Sequence, residues 1–420
     1  MTHQPTIDMQ ELDRMRPPDE ARAIVLEQVR LLDEEAVPLG DAAWRTLAHD
    51  LVAPENHPPF PASTMDGYAV VAADGSPWRE VLGAQMAGDL VAAEVTEGTA
   101  VRIMTGAPVP AGADAVVRVE ATEPTEDHVI IQQEDVTPGE NIRPVGSDVR
   151  AGDVILPAGT ILGPAEIGLV AAMGINPVVV RRRPRVSVVS TGDELVEPGD
   201  PVGPGQIRDS NRFSLVAALR AEGAEITFAG KAPDERDAFE ALLRERLATD
   251  DVVVTSGGVS MGDLDLVKAV LFDAEDVTVH FRRLYMKPGK PLNFATFGED
   301  GKTLIFGLPG NPVSSLVTFE LFIRPALRKM AGIPTLDRPR VPVTLAHDVA
   351  PTDRIEFQRA VVSVAPEGHL VARSTGPQAS SRLQSFLGAN ALVVIAPREF
   401  PYPTGERVEA ILLGPPVAAM

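Results

Sequence analysis

Three segments of this chain join short apolar runs to helical patterns, and each is built from residue types that bind anions. The first is Ser190-Thr191-Gly192-Asp193-Glu194-Leu195, which continues through Gly205-Gln206-Ile207-Arg208-Asp209-Ser210-Asn211. The second runs Thr255-Ser256-Gly257-Gly258-Val259-Ser260-Met261-Gly262-Asp263-Leu264-Asp265, and the third Gly307-Leu308-Pro309-Gly310-Asn311-Pro312-Val313-Ser314. Gly257 and Gly258 let the backbone approach an anion and turn its N–H groups toward it. Ser260 can cap the next helix, whose unpaired N–H groups favour negative charge. Asn311 as cap and Pro312 as first helical residue repeat the device. One such loop alone reads as an ordinary strand-to-helix turn. Three in succession point to phosphate.

Acids stand beside these loops. Glu194, Asp234, Asp263 and Asp265 would repel a phosphate unless a divalent cation or a proton-linked step needs them, and hard oxygen ligands suit Mg²⁺. Helix capping is the plain alternative for Asp234 and Asp263. Met286-Lys287-Pro288-Gly289-Lys290-Pro291 holds two ammonium groups on a rigid turn, which suits an oxyanion but also a solvated surface. Far upstream, Ser63-Thr64-Met65-Asp66-Gly67-Tyr68-Ala69-Val70 and Thr105-Gly106-Ala107-Pro108-Val109-Pro110 each bound an apolar run. Taken alone, both read as turns.

The surrounding pattern supplies the scaffold. Residues 18 to 35 carry helical spacing at Ile24, Val25, Leu31 and Leu32. From about Gly40 to Gly152 come short β-like runs: Ala69 to Ala72, Ala100 to Met104, Ala115 to Val119 and His128 to Gln132. Pro164 opens a short helix, Ala165 to Met173, that Gly174 closes. The basic run Arg181-Arg182-Arg183-Pro184-Arg185 reads as a solvated entry to a strand. Beyond it strands and helices alternate: strands at Val186 to Ser190, Ile226 to Ala229, Val252 to Thr255, Val277 to Phe281 and Thr303 to Phe306. The helices are Phe213 to Glu222, Glu235 to Leu247, Leu264 to Phe272 and a long Val313 to Met330. Such alternation predicts a mostly parallel sheet covered on both faces, with ligand at the strands' carboxyl ends. From Val341 to about Leu413 the pattern is β again. The expected fold is therefore multidomain α/β plus β, with a central three-layer α/β domain. Its expected parts are 1–40 with 145–180 as a connecting subdomain, 41–144 mostly β, 181–332 α/β and 333–420 C-terminal β.

Composition narrows the function. The chain has 420 residues and no cysteine, so disulfides, thiolate nucleophiles and Cys-ligated zinc are excluded. Seven dispersed histidines offer no paired metal site. A net charge of −21 repels nucleic acid and anionic membranes at long range, so neither is an expected partner. No run resembles a signal peptide or a membrane span, and a cytoplasmic location is the default expectation.

Together the motifs resemble the molybdopterin molybdenumtransferase family, which includes the C-terminal domain of gephyrin. The matches run in family order through Arg45-Thr46-Leu47-Ala48, Pro59-Phe60, Met65-Asp66-Gly67-Tyr68-Ala69, Thr105-Gly106-Ala107-Pro108 and Gly139-Glu140-Asn141-Ile142-Arg143. They continue with Ser190 to Leu195, Ser256-Gly257-Gly258-Val259-Ser260, Lys287-Pro288-Gly289-Lys290-Pro291 and Gly307 to Pro312. Pro61-Ala62-Ser63-Thr64 departs from the family's usual Asp-Asn-Ser-Ala. The resemblance implies an elongated homodimer, adenylylated molybdopterin and molybdate as substrates, AMP as product and a Mg²⁺ requirement. It implies catalytic roles for Asp66, Thr105, Glu194, Asp234 and Asp265, and metal contacts from Glu194, Asp263 and Asp265. Substrate contacts would come from Arg143, Ser256, Gly257, Gly258, Ser260, Lys287, Lys290, Pro309, Gly310 and Pro312. The adenylyltransferase of the same pathway is an implied partner. Two rival readings remain: adenylyl transfer to molybdopterin, whose enzymes resemble only residues 181 to 330, and a non-catalytic molybdopterin-binding scaffold.

Overall fold

The structure, a computed structural model, describes residues 12, 14–86, 88, 92–233, 235–257, 276–298 and 301–418. They form two compact units, one of Ala36–Ala43 with His49–Val178, the other of Met1–Glu35, Trp44–Ala48 and Val179–Met420.

The second unit holds the alternating series as β1 (Arg185–Ser190), α1 (Ser210–Ala221), β2 (Glu225–Lys231), α2 (Arg236–Thr249) and β3 (Val252–Ser256). It continues with β4 (Val277–Leu284), β5 (Pro291–Phe297), β6 (Thr303–Leu308) and α3 (Pro312–Thr318). The sheet order is Met15–Arg16, β4, β5, β6, β3, β1, β2. β1 pairs in parallel with β2 and β3, and β3 with β6; β5 alone runs against its neighbours. The mostly parallel sheet is as expected. Its strands are apolar on both faces because both are covered. Val186, Val188, Val254 and Phe306 pack with Leu215 and Leu219 of α1 and Val313 and Val317 of α3. Val189, Val253 and Ile305 pack with Phe239, Leu243 and Leu247 of α2. The expected helix Leu264 to Phe272 lies outside the described residues.

Four expectations need correction. The first helix spans only Pro18–Glu27. Leu32 donates its N–H to the Met330 carbonyl at 2.9 Å, so a tertiary hydrogen bond replaces the helical one and the chain leaves extended. The sequence reading passed over β5. Its Phe294 ring lies 5.6 Å from Phe281 and 5.1 Å from Phe306, contacts that add about 0.5–1.5 kcal/mol each beyond burial. The long helix after Asn311 is α-helical at Pro312–Thr318 and Arg324–Met330 but π-helical at Phe319–Ile323. Pro325 has no N–H and crowds the preceding turn, which the wider segment accommodates. Finally, Arg182 is not a solvated entry residue: it forks onto both Asp251 carboxylate oxygens at 2.6 and 2.7 Å.

The C-terminal part is β as expected, with Arg340–Leu345, Ile355–Val364, Leu370–Ser374, Ala391–Ile395 and Arg407–Leu412 around a core including Val343, Val362 and Ile395. Met286–Lys287 pairs in parallel with Ile355 and Glu356, which ties the lysine turn to this sheet.

The other unit carries a six-stranded sheet ordered Ala115–Arg118, Gly67–Val70, Thr99–Ile103, Trp78–Gln85, His128–Ile131, Thr122–Pro124. Four of these overlap the expected runs. Trp78–Gln85 escaped notice because its apolar alternation breaks where the register shifts between Val81 and Ala84, around Gly83 at φ 153°. The helix Pro164–Ala172 ends before Gly174 at φ 67°, as the closing glycine predicted. No helix among the described residues is long and apolar enough to cross a membrane.

Candidate functional site

Register brings the three loops to one place. Ser190 pairs with Ser256 and Ser256 with Leu308, so the turns after β1, β3 and β6 leave the carboxyl edge side by side. Thr191 N–H donates to Ser256 O at 2.9 Å, and Gly257 N–H to Leu308 O at 3.2 Å. Gly257 has φ 87°, and a Cβ there would lie 2.5 Å from Thr191 O. Both conformation and space thus demand glycine. A Cβ on Gly310 would meet only Gly257 Cα, at 4.0 Å, so the second and third turns are neighbours. Small residues converging here let a ligand approach the backbone closely. Glu194 folds back over Gly192, where a Cβ would sit 2.5 Å from Glu194 Oε2. The Glu194 side chain is exposed.

Beneath these turns lies a polar cluster to which the sequence reading gave no role. Asp209 caps α1 by accepting from Arg212 N–H at 3.1 Å, and it also accepts from Ser190 Oγ at 2.6 Å. Arg212 sends one guanidinium nitrogen to both Glu197 oxygens at 2.6 Å. Asn211 donates from Nδ2 to Ser256 Oγ at 2.9 Å and to Gly310 O at 2.8 Å, joining the second turn to the third. Asp-Ser-Asn-Arg before an apolar run is a capping signal, and could have flagged Asp209. The bridge made by Asn211 has no local signal, because its partners are 45 and 99 residues away.

Asn311 holds the expected cap position, with Pro312 next, but its side chain makes no capping bond. Instead Val313 N–H donates to Ser380 O of the C-terminal part at 3.1 Å, and Ser315 Oγ donates to Pro309 O at 2.7 Å. Lys287 is exposed but lies 3.1 Å from Glu356 Oε1, so its charge is partly neutralised. Lys290 is exposed. A Cβ on Gly289, at φ 103°, would come within 2.8 Å of Thr318 Cγ2, so this turn packs on the end of α3.

In the other unit the two predicted polar residues meet. Asp66 Oδ1 accepts from Thr105 N–H and from Thr105 Oγ1, each at 2.7 Å. Gly67 is obligatory beside it, since a Cβ there would sit 2.0 Å from Val117 O. Arg143 pairs with Asp148, and its strand Ile142–Arg143 pairs with Ala62–Ser63. The Thr105 backbone N–H first, and its hydroxyl second, hold the Asp66 carboxyl below its ordinary value of 3.8. A carboxyl depressed in the folded state stabilises above its unfolded value and loses that contribution as pH falls through the lower folded value. Asp66→Asn therefore flattens this part of the acid limb of stability; equal acid limbs in denaturation midpoints from about pH 5 down to about pH 2 would contradict it. Asp234, Gly258, Ser260, Asp263 and Asp265 lie outside the described residues.

An α/β part with three glycine- and serine-bearing turns at the carboxyl edge of its parallel strands, in a chain that also has β-rich parts, defines a multidomain α/β plus β protein. Comparison gives the family. Residues 16–174 match the MoeA N-terminal region, 187–329 a probable molybdopterin binding domain, and 342–413 the MoeA C-terminal region. The chain is 43% identical over 397 residues to molybdopterin molybdenumtransferase 2 of Mycobacterium tuberculosis, covering 91% of this chain and 95% of that one. Gephyrin of Dictyostelium discoideum is 38% identical, over 96% of this chain, which spans only 62% of gephyrin's length. A solved molybdopterin biosynthesis MoeA protein from Pyrococcus horikosii superposes with TM-score 0.80 at 32% identity, covering 96% of this chain and all of that one. The chain belongs to the MoeA family of molybdopterin molybdenumtransferases.

Proposed function

We propose that this protein inserts molybdate into adenylylated molybdopterin, releasing AMP and completing the molybdenum cofactor. The observation that carries the reading is the convergence of Thr191, Gly257 and Gly310 at the carboxyl edge of a parallel sheet, a place suited to phosphate. In this reading Gly258 and Ser260, which follow Gly257 in the sequence, contact the substrate's phosphates beside Ser256 and Gly257, with Pro309, Gly310 and Pro312 shaping the opposite wall. Lys287 and Lys290 offset negative charge as AMP departs, and Arg143 is a further residue assigned to substrate binding. Asp66, fixed by Thr105, stays ionised through the physiological range and serves as a charged acceptor. Glu194, Asp234 and Asp265 are the remaining acids assigned to the reaction.

Glu194, Asp263 and Asp265 would hold Mg²⁺. The exposed Glu194 carboxylate fits a hard oxygen donor. When bound, the ion supplies charge neutralisation at the pyrophosphate. We also propose a homodimer, a cytoplasmic setting, a three-layer central domain and the four-part division expected from sequence, with the pathway's adenylyltransferase as a partner.

Purified protein given adenylylated molybdopterin, molybdate and Mg²⁺ should release AMP in step with cofactor formation, and fail to do so without Mg²⁺. Asp265→Asn should slow release by about 100-fold. Adenylate formed from ATP instead would move the assignment to the adenylyltransferase, and an unchanged rate in Asp265→Asn would leave only a scaffold.

A further inference from the structure

Asn211 is the second residue of α1, and the residue is 8% exposed. Both amide hydrogens are committed, to Ser256 Oγ at 2.9 Å and Gly310 O at 2.8 Å. Because a carbonyl oxygen can only accept, Gly310 fixes which end of the amide is nitrogen. The Oδ1 atom is therefore placed without ambiguity, and it is enclosed with no hydrogen-bond partner among the described residues. A buried acceptor left unmatched is costly, and native proteins rarely tolerate one without a use. Ser256 Oγ already accepts from Asn211, and its own hydrogen has no acceptor among the described residues. The acceptor and the donor thus belong to two side chains that are hydrogen-bonded to each other where the second and third turns meet.

We propose that Asn211 reads its ligand: Oδ1 accepts from the exocyclic amino group of an aminopyrimidine-type ring, while the Ser256 hydroxyl donates to the adjoining ring nitrogen. Molybdopterin and AMP both carry such an edge, one on the pterin and one on adenine. This deepens the function proposed above and rests on it. No bond is made or broken at Asn211; it is a specificity-determining residue.

Calorimetric binding of two ligand pairs tests the proposal: AMP against IMP, and a pterin phosphate against its lumazine counterpart. In each pair an oxo group replaces the amino group. Wild-type protein should prefer the amino member of one pair by about tenfold, and that pair names the ring being read. Asn211→Ala should weaken only the amino ligand of that pair, leaving the oxo ligand as before. Ser256→Ala, which removes the hydroxyl donor and leaves the Asn211 amide in place, should also weaken only the amino ligand of that pair, and it serves if the alanine variant at Asn211 does not fold. No amino preference in either pair, or equal weakening of both members, overturns the proposal while AMP release still stands for the function. A wild type that binds none of the four removes both.

Discussion

Gly257→Ala is expected to lower kcat/KM for AMP release by about 100-fold, because displacement of the order of an ångström at a reacting site has about that effect. Two independent facts make this residue intolerant. At φ 87° an L-residue is strained, and the added Cβ would lie 2.5 Å from Thr191 O, a backbone atom of the neighbouring turn. Backbone cannot yield as a flexible side chain can. The turn must shift, and the shift passes to Thr191, whose N–H and hydroxyl both lean on Ser256 O. The strain alone costs about 1–3 kcal/mol, visible as a lower denaturation midpoint. Gly310→Ala is the matched control: its Cβ would find one atom, at 4.0 Å, so stability should change by less than about 0.5 kcal/mol. Equal losses in the two variants would show that the packing of the two turns is not what sets glycine here.

The second large effect is expected at Arg359. This side chain is fully buried in the strand Ile355–Val364. It donates to Ser385 Oγ at 3.0 Å and makes longer contacts with Ala379 O at 3.4 Å and Phe357 O at 3.5 Å. Burial pushes its pKa down to about 10, only partly offset by Glu356. A base whose pKa falls on folding opposes stability while it is charged in both states, and the opposition lessens as pH rises above about 10. The charge is thus a cost at neutral pH, whereas the volume is needed. Arg359→Ala should destabilise by about 2–5 kcal/mol through the cavity it leaves. Arg359→Met, which fills the space without charge, should lose much less, since apolar replacement of buried ions is often neutral. The loop it supports includes Ser380, whose carbonyl accepts Val313 N–H at the start of α3. Arg359→Ala should therefore also raise KM for the substrate, and a midpoint equal to that of Arg359→Met would refute the cavity account.

Much of this was legible from short-range pattern. Alternation of β-branched runs with helical spacing marked β1, β3 and β6, because a doubly covered strand must be apolar on both faces. Gly257, Gly174 and Pro312 stood where their backbone preferences require. Asp66 and Thr105, picked out by the family resemblance, prove to be hydrogen-bonded to each other. Ring packing holds β5 in the sheet, and a carbonyl of the helix Arg324–Met330 takes the N–H of Leu32. Neither interaction leaves a mark on the local sequence.

The sequence by itself determined the strand-and-helix alternation around β1, β3 and β6, the glycines at the turns, the absence of thiol chemistry and the family, since each depends on residue type or on neighbours close in the chain. Only the tertiary structure decided that Asn211 bridges Ser256 to Gly310, that Lys287 pairs with Glu356, and that a buried arginine braces the loop at the start of α3. Those pairings join residues from 26 to 99 positions apart, and their energies depend on burial and distance that no periodicity encodes.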